Sequence, residues 1–252
     1  LLRIRRSYSA AQRTCTLTVQ QSCPATPGQV QKLPFHIPLA IGLLDAEGQD
    51  LPLKLQGESR AAAGTRVLPI RRQEESFVFV DVPQAPVPSV LRGFSAPVKI
   101  DIDLTDAERC FLMGHDSDAF NRWEAGQQLA VKLVLRLIED RRAGQPWRLD
   151  AGYSDALRKT LRSEVLDAAM IAQVMQLPSE SYVAEFMSPI DPQAIHEALL
   201  FMRRSLAQVL RQELHHTYEA NQDHGPYSTD AGAIGRRSLK NVCLSYLMEL
   251  PQ

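Results

Sequence analysis

Cysteine is scarce in this sequence, with only four among 252 residues. Cys15, Cys23, Cys110 and Cys243 lie far apart, and none of them belongs to a CxxC pair. This spacing excludes a zinc knuckle and a disulfide framework. We expect reduced thiols that behave as small hydrophobic side chains, as in cytosolic proteins.

Long apolar segments are also missing. The sequence has no run of 18 apolar residues, and its N-terminus lacks the layout of a signal peptide. We therefore predict a cytoplasmic protein with no membrane partner. The chain has no initiator methionine and opens inside what looks like a strand, so we expect it to be part of a longer protein.

Neither half of the chain carries the concentrated positive charge that a nucleic-acid partner requires. The formal net charge is −1. Up to residue 103 there are 12 basic against 9 acidic residues, and the remainder has 16 against 20. The basic clusters are short, and we interpret them as solvated faces; they are Arg3-Arg5-Arg6, Arg71-Arg72 and Arg236-Arg237-Lys240.

The usual catalytic motifs are absent. A metal-hydrolase site of the HExxH kind needs two histidines four residues apart, and His196-Glu197 is followed by Leu200 instead. His215 and His216 are adjacent and lie about 100° apart around a helix, so they cannot chelate one ion from one face. Neither a GxSxG elbow nor a GxxxxGK[ST] phosphate loop occurs.

Two remaining pairs have a structural as well as a functional interpretation. Gly232 and Gly235 are lone glycines in a predicted helix, and close helix packing is a simpler explanation for them than phosphate binding. His115 and Asp116 could form an acid/base pair. A histidine at a helix C-terminus that interacts with the helix dipole, followed by a helix cap, is the simpler explanation.

Aromatic residues make up only 6% of the chain. We interpret Phe111, Phe120 and Trp123 as packing anchors across the two predicted domains rather than as a ligand-stacking site. The residues alone thus contain no self-sufficient catalytic constellation. We assign no catalytic, cofactor-binding or metal-binding residue to this chain.

The sequence pattern of the first 103 residues is typical of a β-sheet. Ten of the 16 prolines lie there, which disfavours long helices. We predict an immunoglobulin-like β-sandwich over residues 1–103, with a hairpin around the turn Asp45–Gly48. Seven strand-like runs support it: Cys15–Gln21, His36–Leu44, Leu51–Leu55, Thr65–Ile70, Ser76–Val82, Ser89–Phe94 and Val98–Ile102.

The apolar period changes from two to about three and a half within Pro97–Gln127. Thr105 and Glu108 form a capping box, which predicts a helix start. The pattern of residues 104–252 then predicts an α-solenoid or irregular helical bundle with no repeat of fixed period. Six later helices are expected. They span about 118–141, capped by Asp116-Ser117; 154–163; 168–176, capped by Asp167; 182–187; 192–221, capped by Asp191; and a last helix from its cap at Ser228–Asp230 to Leu250. The segment Asp223–Pro226 is expected to end the helix at 192–221.

With its elements assigned, the chain resembles the bacterial aminopeptidase N family of zinc metallopeptidases (gluzincins), in the region that follows the catalytic domain. The most specific segment is FLMGHDSDAFNRWEAGQ, residues 111–127. Other matching segments are TLTVQQSCPATP (16–27), LPFHIPLAI (33–41), PVPSVLRGFSAPV (86–98) and the weaker RSLKNVCLSYL (237–247).

The resemblance implies a β-sandwich followed by the first half of a larger helical superhelical domain. It also implies that zinc and the substrate's amino terminus are bound by a separate catalytic domain of the same polypeptide. In that domain, HExxH and a downstream Glu would bind the zinc, and a GxMEN motif would bind the amino terminus. None of those residues occurs in this chain, which we expect to be inactive alone. We expect the sandwich to be a spacer and the helical part to wall the chamber for peptide substrates. A protein-interaction module remains open as an alternative, and the motif search disfavours a free-standing hydrolase.

Overall fold

The computed structural model of the chain describes residues 1–223 and 225–251. It divides into two compact units. The β unit comprises Leu1–Glu108 and His115–Asn121, and the helical unit comprises Arg109–Gly114 and Arg122–Gln252. The domain boundary after residue 103 therefore stays a prediction, because a later segment groups with the β unit.

The β unit is a sandwich of two sheets, as predicted. A five-stranded sheet has the order β4-β6-β2-β1-β8, and a three-stranded sheet has the order β5-β3-β7. All strand pairs are antiparallel except β1 with β8. The strands are β1 (Leu2–Ser9), β2 (Thr14–Gln21), β3 (Ile37–Leu44), β4 (Lys54–Leu55), β5 (Arg66–Ile70), β6 (Glu74–Val80), β7 (Val87–Val90) and β8 (Ile100–Ile102).

Alternation of apolar and polar residues explains this architecture. In β2, Cys15, Leu17 and Val19 are buried while the residues between them are partly exposed. Strands with one buried face are typical of antiparallel sandwiches. The opening strand β1 adds an eighth strand to the seven predicted runs, with Leu2 and Ile4 in the core.

Two predicted strands differ from those in the structure because of their tertiary partners. The turn at Asp45–Gly48 forms, with Gly48 at φ 82°, and Leu51 N–H still donates to Leu43 O at 2.8 Å. The hairpin was nevertheless wrong beyond that point, because β4 pairs with β6 in the other sheet. The run Ser89–Phe94 was also too long, since β7 ends at Val90 and a 3-10 turn follows.

Eight helices follow in the described part of the chain. The predicted capping box forms, with Glu108 N–H donating to Thr105 Oγ1 and Thr105 N–H to the Glu108 carboxylate. Side-chain caps at Asp150, Asp167, Ser179, Asp191 and Asp230 begin five others. The helices are α1 (Asp106–His115), α2 (Ala119–Arg142), α3 (Ala151–Leu161), α4 (Ala168–Val174), α5 (Glu180–Ala184), α6 (Pro192–Val209), α7 (Arg211–Ala220) and α8 (Ala231–Leu247).

The helix expected over residues 192–221 is in fact two helices, α6 and α7, separated at Leu210. The carbonyl of Val209 accepts a hydrogen bond from Arg158 Nη2 at 3.3 Å. A side chain that enters the backbone ladder is a known cause of helix breaks. Helix α3 is capped by Asp150 and begins at Ala151, three residues before the predicted start at Ser154. The predicted end signal at 223–226 includes His224, which lies outside the described residues.

Close packing at Gly235 is confirmed. A Cβ atom added there would lie 3.0 Å from the backbone nitrogen of Ala169, so α8 and α4 approach closely. At Gly232 an added Cβ would meet only the Asp230 and Arg236 side-chain ends, at 3.3 and 3.6 Å. The two glycines of one helix therefore have different roles.

We expect Gly235→Ala to lower the free energy of unfolding by about 1 kcal/mol, because overpacking outweighs the gain in helix propensity. Gly232→Ala is the matched control and should be neutral or stabilising by up to about 1 kcal/mol. Urea titrations followed by tryptophan fluorescence measure both, since Trp123 and Trp147 lie in the helical unit. Equal stabilisation by both substitutions would contradict the packing role of Gly235.

Candidate functional site

Histidines do not assemble a metal centre in the part of the chain that the structure describes, where no cluster of three or more potential ligands is present. His196 Nδ1 lies 2.7 Å from the Glu180 carboxylate on an exposed surface. His215 and His216 are both exposed on α7. His115 ends α1 and packs against Gly48, where an added Cβ would be 2.5 Å from its ring nitrogen.

The most organised group of polar side chains lies in the β unit around Arg92. Its guanidinium donates to Ser89 Oγ at 2.8 Å, Thr65 Oγ1 at 3.0 Å, Asp50 Oδ1 at 2.7 Å and Asp116 Oδ1 at 3.0 Å. The Arg92 side chain is 3% exposed and that of Asp116 is 0% exposed. We call these five residues the Arg92 cluster.

A bend in the backbone places Arg92. Leu91 and Gly93 both have left-handed conformations, with φ of 63° and 59°, on either side of it. Gly93 N–H donates to Asp118 Oδ2 at 2.8 Å. The floor below the guanidinium is Gly42 in β3, where an added Cβ would lie 2.5 Å from Arg92 Nη2.

The segment His115–Asn121 completes the cluster. Asp116 was predicted to cap a helix, and this was wrong, because Asp118 Oδ1 accepts the Asn121 N–H at 2.9 Å instead. Ser117 Oγ donates to Asp50 Oδ2 at 2.6 Å, and Asn121 Nδ2 donates to Ser89 Oγ at 2.8 Å. Asp116 Oδ1 instead accepts the Asp118 N–H at 3.0 Å and pairs with Arg92.

The pKa values of the two carboxylates in the cluster are shifted in opposite directions. Burial raises the pKa of Asp116 above its usual value, and hydrogen bonds from Ser89 and the Asp118 N–H, together with the charge of Arg92, offset this only in part. Burial also acts on Asp50, but hydrogen bonds from Arg92 and Ser117 outweigh it and lower the pKa of Asp50. Among the described residues, Asp116 Oδ2 has no hydrogen-bond partner. A carboxylate so enclosed is not accessible to a substrate.

A second cluster lies in the helical unit, where Glu213 is shared by two arginines. Arg158 Nε and Arg162 Nη2 donate to its Oε1 at 3.0 and 2.7 Å. Burial opposes ionisation of Glu213, but its own backbone N–H and both arginines lower its pKa, so it is a poor base. An adjoining open cleft of about 420 Å³ is lined by Leu161, Arg162, Ser163, Gln212, Glu213, His216 and Thr217.

Aromatic and sulfur groups mainly pack. Phe120 contacts Phe94 edge-on with ring centroids 5.6 Å apart, within the β unit, so packing of Phe111, Phe120 and Trp123 across the two domains stays a prediction. All four cysteines are free thiols; Cys15 and Cys243 are buried, Cys110 is half-buried and Cys23 is exposed. Burial raises the pKa of Cys15 to about 11 and that of Cys243 to about 12, so both behave as small apolar groups. None of the described helices combines the length and apolarity needed to cross a membrane.

The fold and its clusters define a class of two-part chains, an immunoglobulin-like sandwich followed by helical repeats. Residues 1–103 match a family described as a domain of unknown function (DUF3458) with an Ig-like fold. Residues 106–252 match its companion, a domain of unknown function (DUF3458_C) with ARM repeats. The chain belongs to this family. The ARM class of helical repeat had been left open by the sequence periodicity.

The relatives are bacterial enzymes. Aminopeptidase N of Escherichia coli strain K12 is 37% identical over 247 residues, which cover 98% of this chain and 28% of that protein. Aminopeptidase N of Caulobacter vibrioides is 38% identical over 213 residues, covering 84% and 23%. This chain is therefore homologous to the C-terminal part of bacterial aminopeptidase N and spans about a quarter of the length of these relatives.

A solved structure has the same fold. The crystal structure of Legionella pneumophila aminopeptidase A in complex with aspartic acid superposes with a TM-score of 0.78 at 24% identity. The match covers 99% of this chain and 27% of that one. Both Arg92 and Asp116 lie in the segments whose resemblance to the family was noted above, 86–98 and 111–127.

Proposed function

We propose that this chain is the non-catalytic, C-terminal-side part of a zinc-dependent aminopeptidase that releases N-terminal amino acids from peptides. The observation that carries the proposal is the alignment with Escherichia coli aminopeptidase N, which covers 98% of this chain but only 28% of that enzyme. The zinc ligands and catalytic residues would belong to a separate catalytic domain of the same polypeptide. We also predict a cytoplasmic location and a role in peptide catabolism.

Within such an enzyme, the two units would have passive but specific roles. The sandwich would act as a spacer, for which a rigid body is required. The buried ion pairs of the Arg92 cluster are consistent with that requirement. The ARM-repeat helices would wall the substrate chamber and restrict entry to small peptides, since helical repeats form extended surfaces.

An activity assay tests the proposal. The purified 252-residue chain with added zinc is expected to give no turnover of aminoacyl-arylamide substrates and to retain no stoichiometric zinc after dialysis. The matched control is the polypeptide expressed from its whole reading frame, which should be active and hold zinc. Robust turnover or tight zinc binding by the chain alone would contradict the proposal.

The upstream reading frame separates this function from the alternative. If HExxH and GxMEN are encoded within a few hundred codons before Leu1, the aminopeptidase interpretation is supported. If neither motif is found, an interaction module without enzymatic role becomes the better interpretation.

A further inference from the structure

The connection from β2 to β3 exposes three large apolar side chains. Val30, Leu33 and Phe35 are 79%, 85% and 50% exposed. Residues 22–35, which we call the β2–β3 loop, contain one charged side chain, that of Lys32. Charged residues are depleted at the centre of protein interfaces, and apolar side chains exposed together often mark an interaction site. The β2–β3 loop therefore has the composition of an interface.

Hydrogen bonds hold this loop in one shape. Thr26 and Gln29 exchange two backbone hydrogen bonds, of 3.2 and 2.9 Å, around a turn in which Gly28 has a φ of 80°. At the other end of the loop, the buried side chain of Gln21 accepts the Phe35 N–H at 2.8 Å and donates to the Phe35 carbonyl at 2.9 Å. Because the backbone is already fixed at both places, docking of the loop would cost little ordering entropy.

The first residue of the chain lies at the base of the same loop. The Leu1 amino nitrogen donates to the Ser22 carbonyl at 2.9 Å, and the Ser22 N–H donates to the Leu1 carbonyl at 2.9 Å. Ser22 follows Gln21 directly, and Gln21 is the residue that holds Phe35. Any polypeptide joined ahead of Leu1 therefore enters beside the β2–β3 loop.

We propose that the β2–β3 loop docks on the polypeptide immediately upstream of Leu1, with Val30, Leu33 and Phe35 buried against an apolar surface of the domain that precedes the sandwich. The inference rests on the proposed function, in which this chain is part of a longer polypeptide whose relatives extend well beyond the matched region. A tethered partner meets the loop at a high effective concentration, so a small apolar contact is sufficient. Docking would fix the sandwich, the proposed spacer, on the domain before it.

Hydrogen exchange of the polypeptide expressed from its whole reading frame tests the docking. The backbone amides of residues 22–35 should exchange at least about tenfold more slowly there than in the 252-residue chain, because a covered loop must open before its amides exchange. Equal rates in the two proteins would overturn the proposal. Protection that depends on concentration in the 252-residue chain would also overturn it, since a second copy would then be the occupant.

Leu33 offers a matched pair of substitutions. Leu33→Asp should leave the unfolding midpoint and the loop exchange of the 252-residue chain unchanged, because this side chain is exposed there. In the whole polypeptide it should abolish the roughly tenfold protection of the loop, since burying an unpaired carboxylate is costly. Leu33→Met keeps an apolar side chain and should preserve the protection to within about twofold. Equal exchange of the two variants in the whole polypeptide would contradict burial of the loop.

Lys32 allows the occupant to be identified. An amine-reactive cross-linker with a photoactivated second group, applied to the whole polypeptide, should join Lys32 to residues upstream of Leu1. Cross-links from Lys32 that never reach the upstream segment would overturn the assignment. These measurements do not depend on activity. The absence of HExxH and GxMEN upstream would refute the proposed function, whereas an unprotected loop in a polypeptide that carries both motifs would refute only the docking.

Discussion

Replacing Arg92 with methionine is expected to lower the free energy of unfolding of the β unit by about 3–5 kcal/mol. Methionine keeps most of the apolar stem but removes the guanidinium. Asp116, whose side chain is completely buried, then loses its cationic partner, and Asp50 loses a hydrogen bond of 2.7 Å. A buried carboxylate without compensation costs far more than the pair itself gains.

The measurement must report on the β unit alone, because both tryptophans lie in the helical unit. Hydrogen exchange followed by mass spectrometry on peptides from β2 and β3 does this. Arg3→Met is the matched control, since Arg3 pairs with Asp101 at 2.8 Å but the two side chains are 58% and 51% exposed. That substitution should cost less than about 1 kcal/mol. Equal costs at Arg3 and Arg92 would show that leaving the buried Asp116 without its cation costs no more than breaking an exposed ion pair.

Local sequence patterns were sufficient to predict an element where its formation depends on interactions among its own residues. The alternation of Cys15, Leu17 and Val19 predicted β2 and its buried face. The caps at Asp167 and Asp191 predicted helix starts, because a carboxylate that accepts an amide hydrogen bond acts within one turn. Such interactions span three residues and are visible in any window of the sequence.

The Arg92 cluster could not be predicted because its members come from distant parts of the chain. Asp50, Thr65 and Asp116 are 42, 27 and 24 positions away from Arg92. The sequence around Asp116 offered a capping interpretation that was locally equivalent to the true one at Asp118. The available signal was an arginine inside a strand-like apolar run, directly before Gly93, where burial demands a counter-charge.

Tertiary contacts also explain the misplaced ends of other elements. The apolar stripe through residues 192–221 continues across Leu210, which is buried, so periodicity gave no sign of a break. Beside the break, Arg158 of another helix donates a hydrogen bond to the Val209 carbonyl, a contact that local periodicity does not show. In the same way, β4 follows a correct turn and then joins β6, because sheet membership is set by partners rather than by propensity.

Gly42→Ala is expected to destabilise the β unit by about 3 kcal/mol, although a strand normally gains from replacing glycine. The backbone of Gly42 has no left-handed conformation, so the cost is purely steric: the new Cβ would lie 2.5 Å from Arg92 Nη2. The guanidinium cannot withdraw without losing its bonds to Asp50 and Asp116.

A double-mutant cycle separates this clash from any other effect of the added methyl group. In the Arg92→Met background the obstacle is a flexible side chain without fixed hydrogen bonds, so Gly42→Ala should cost less than about 1 kcal/mol. Hydrogen exchange of β3 peptides measures all four proteins. An equal cost in both backgrounds would mean that the guanidinium does not require a glycine beneath it, and that the Arg92 cluster tolerates more space than its geometry indicates.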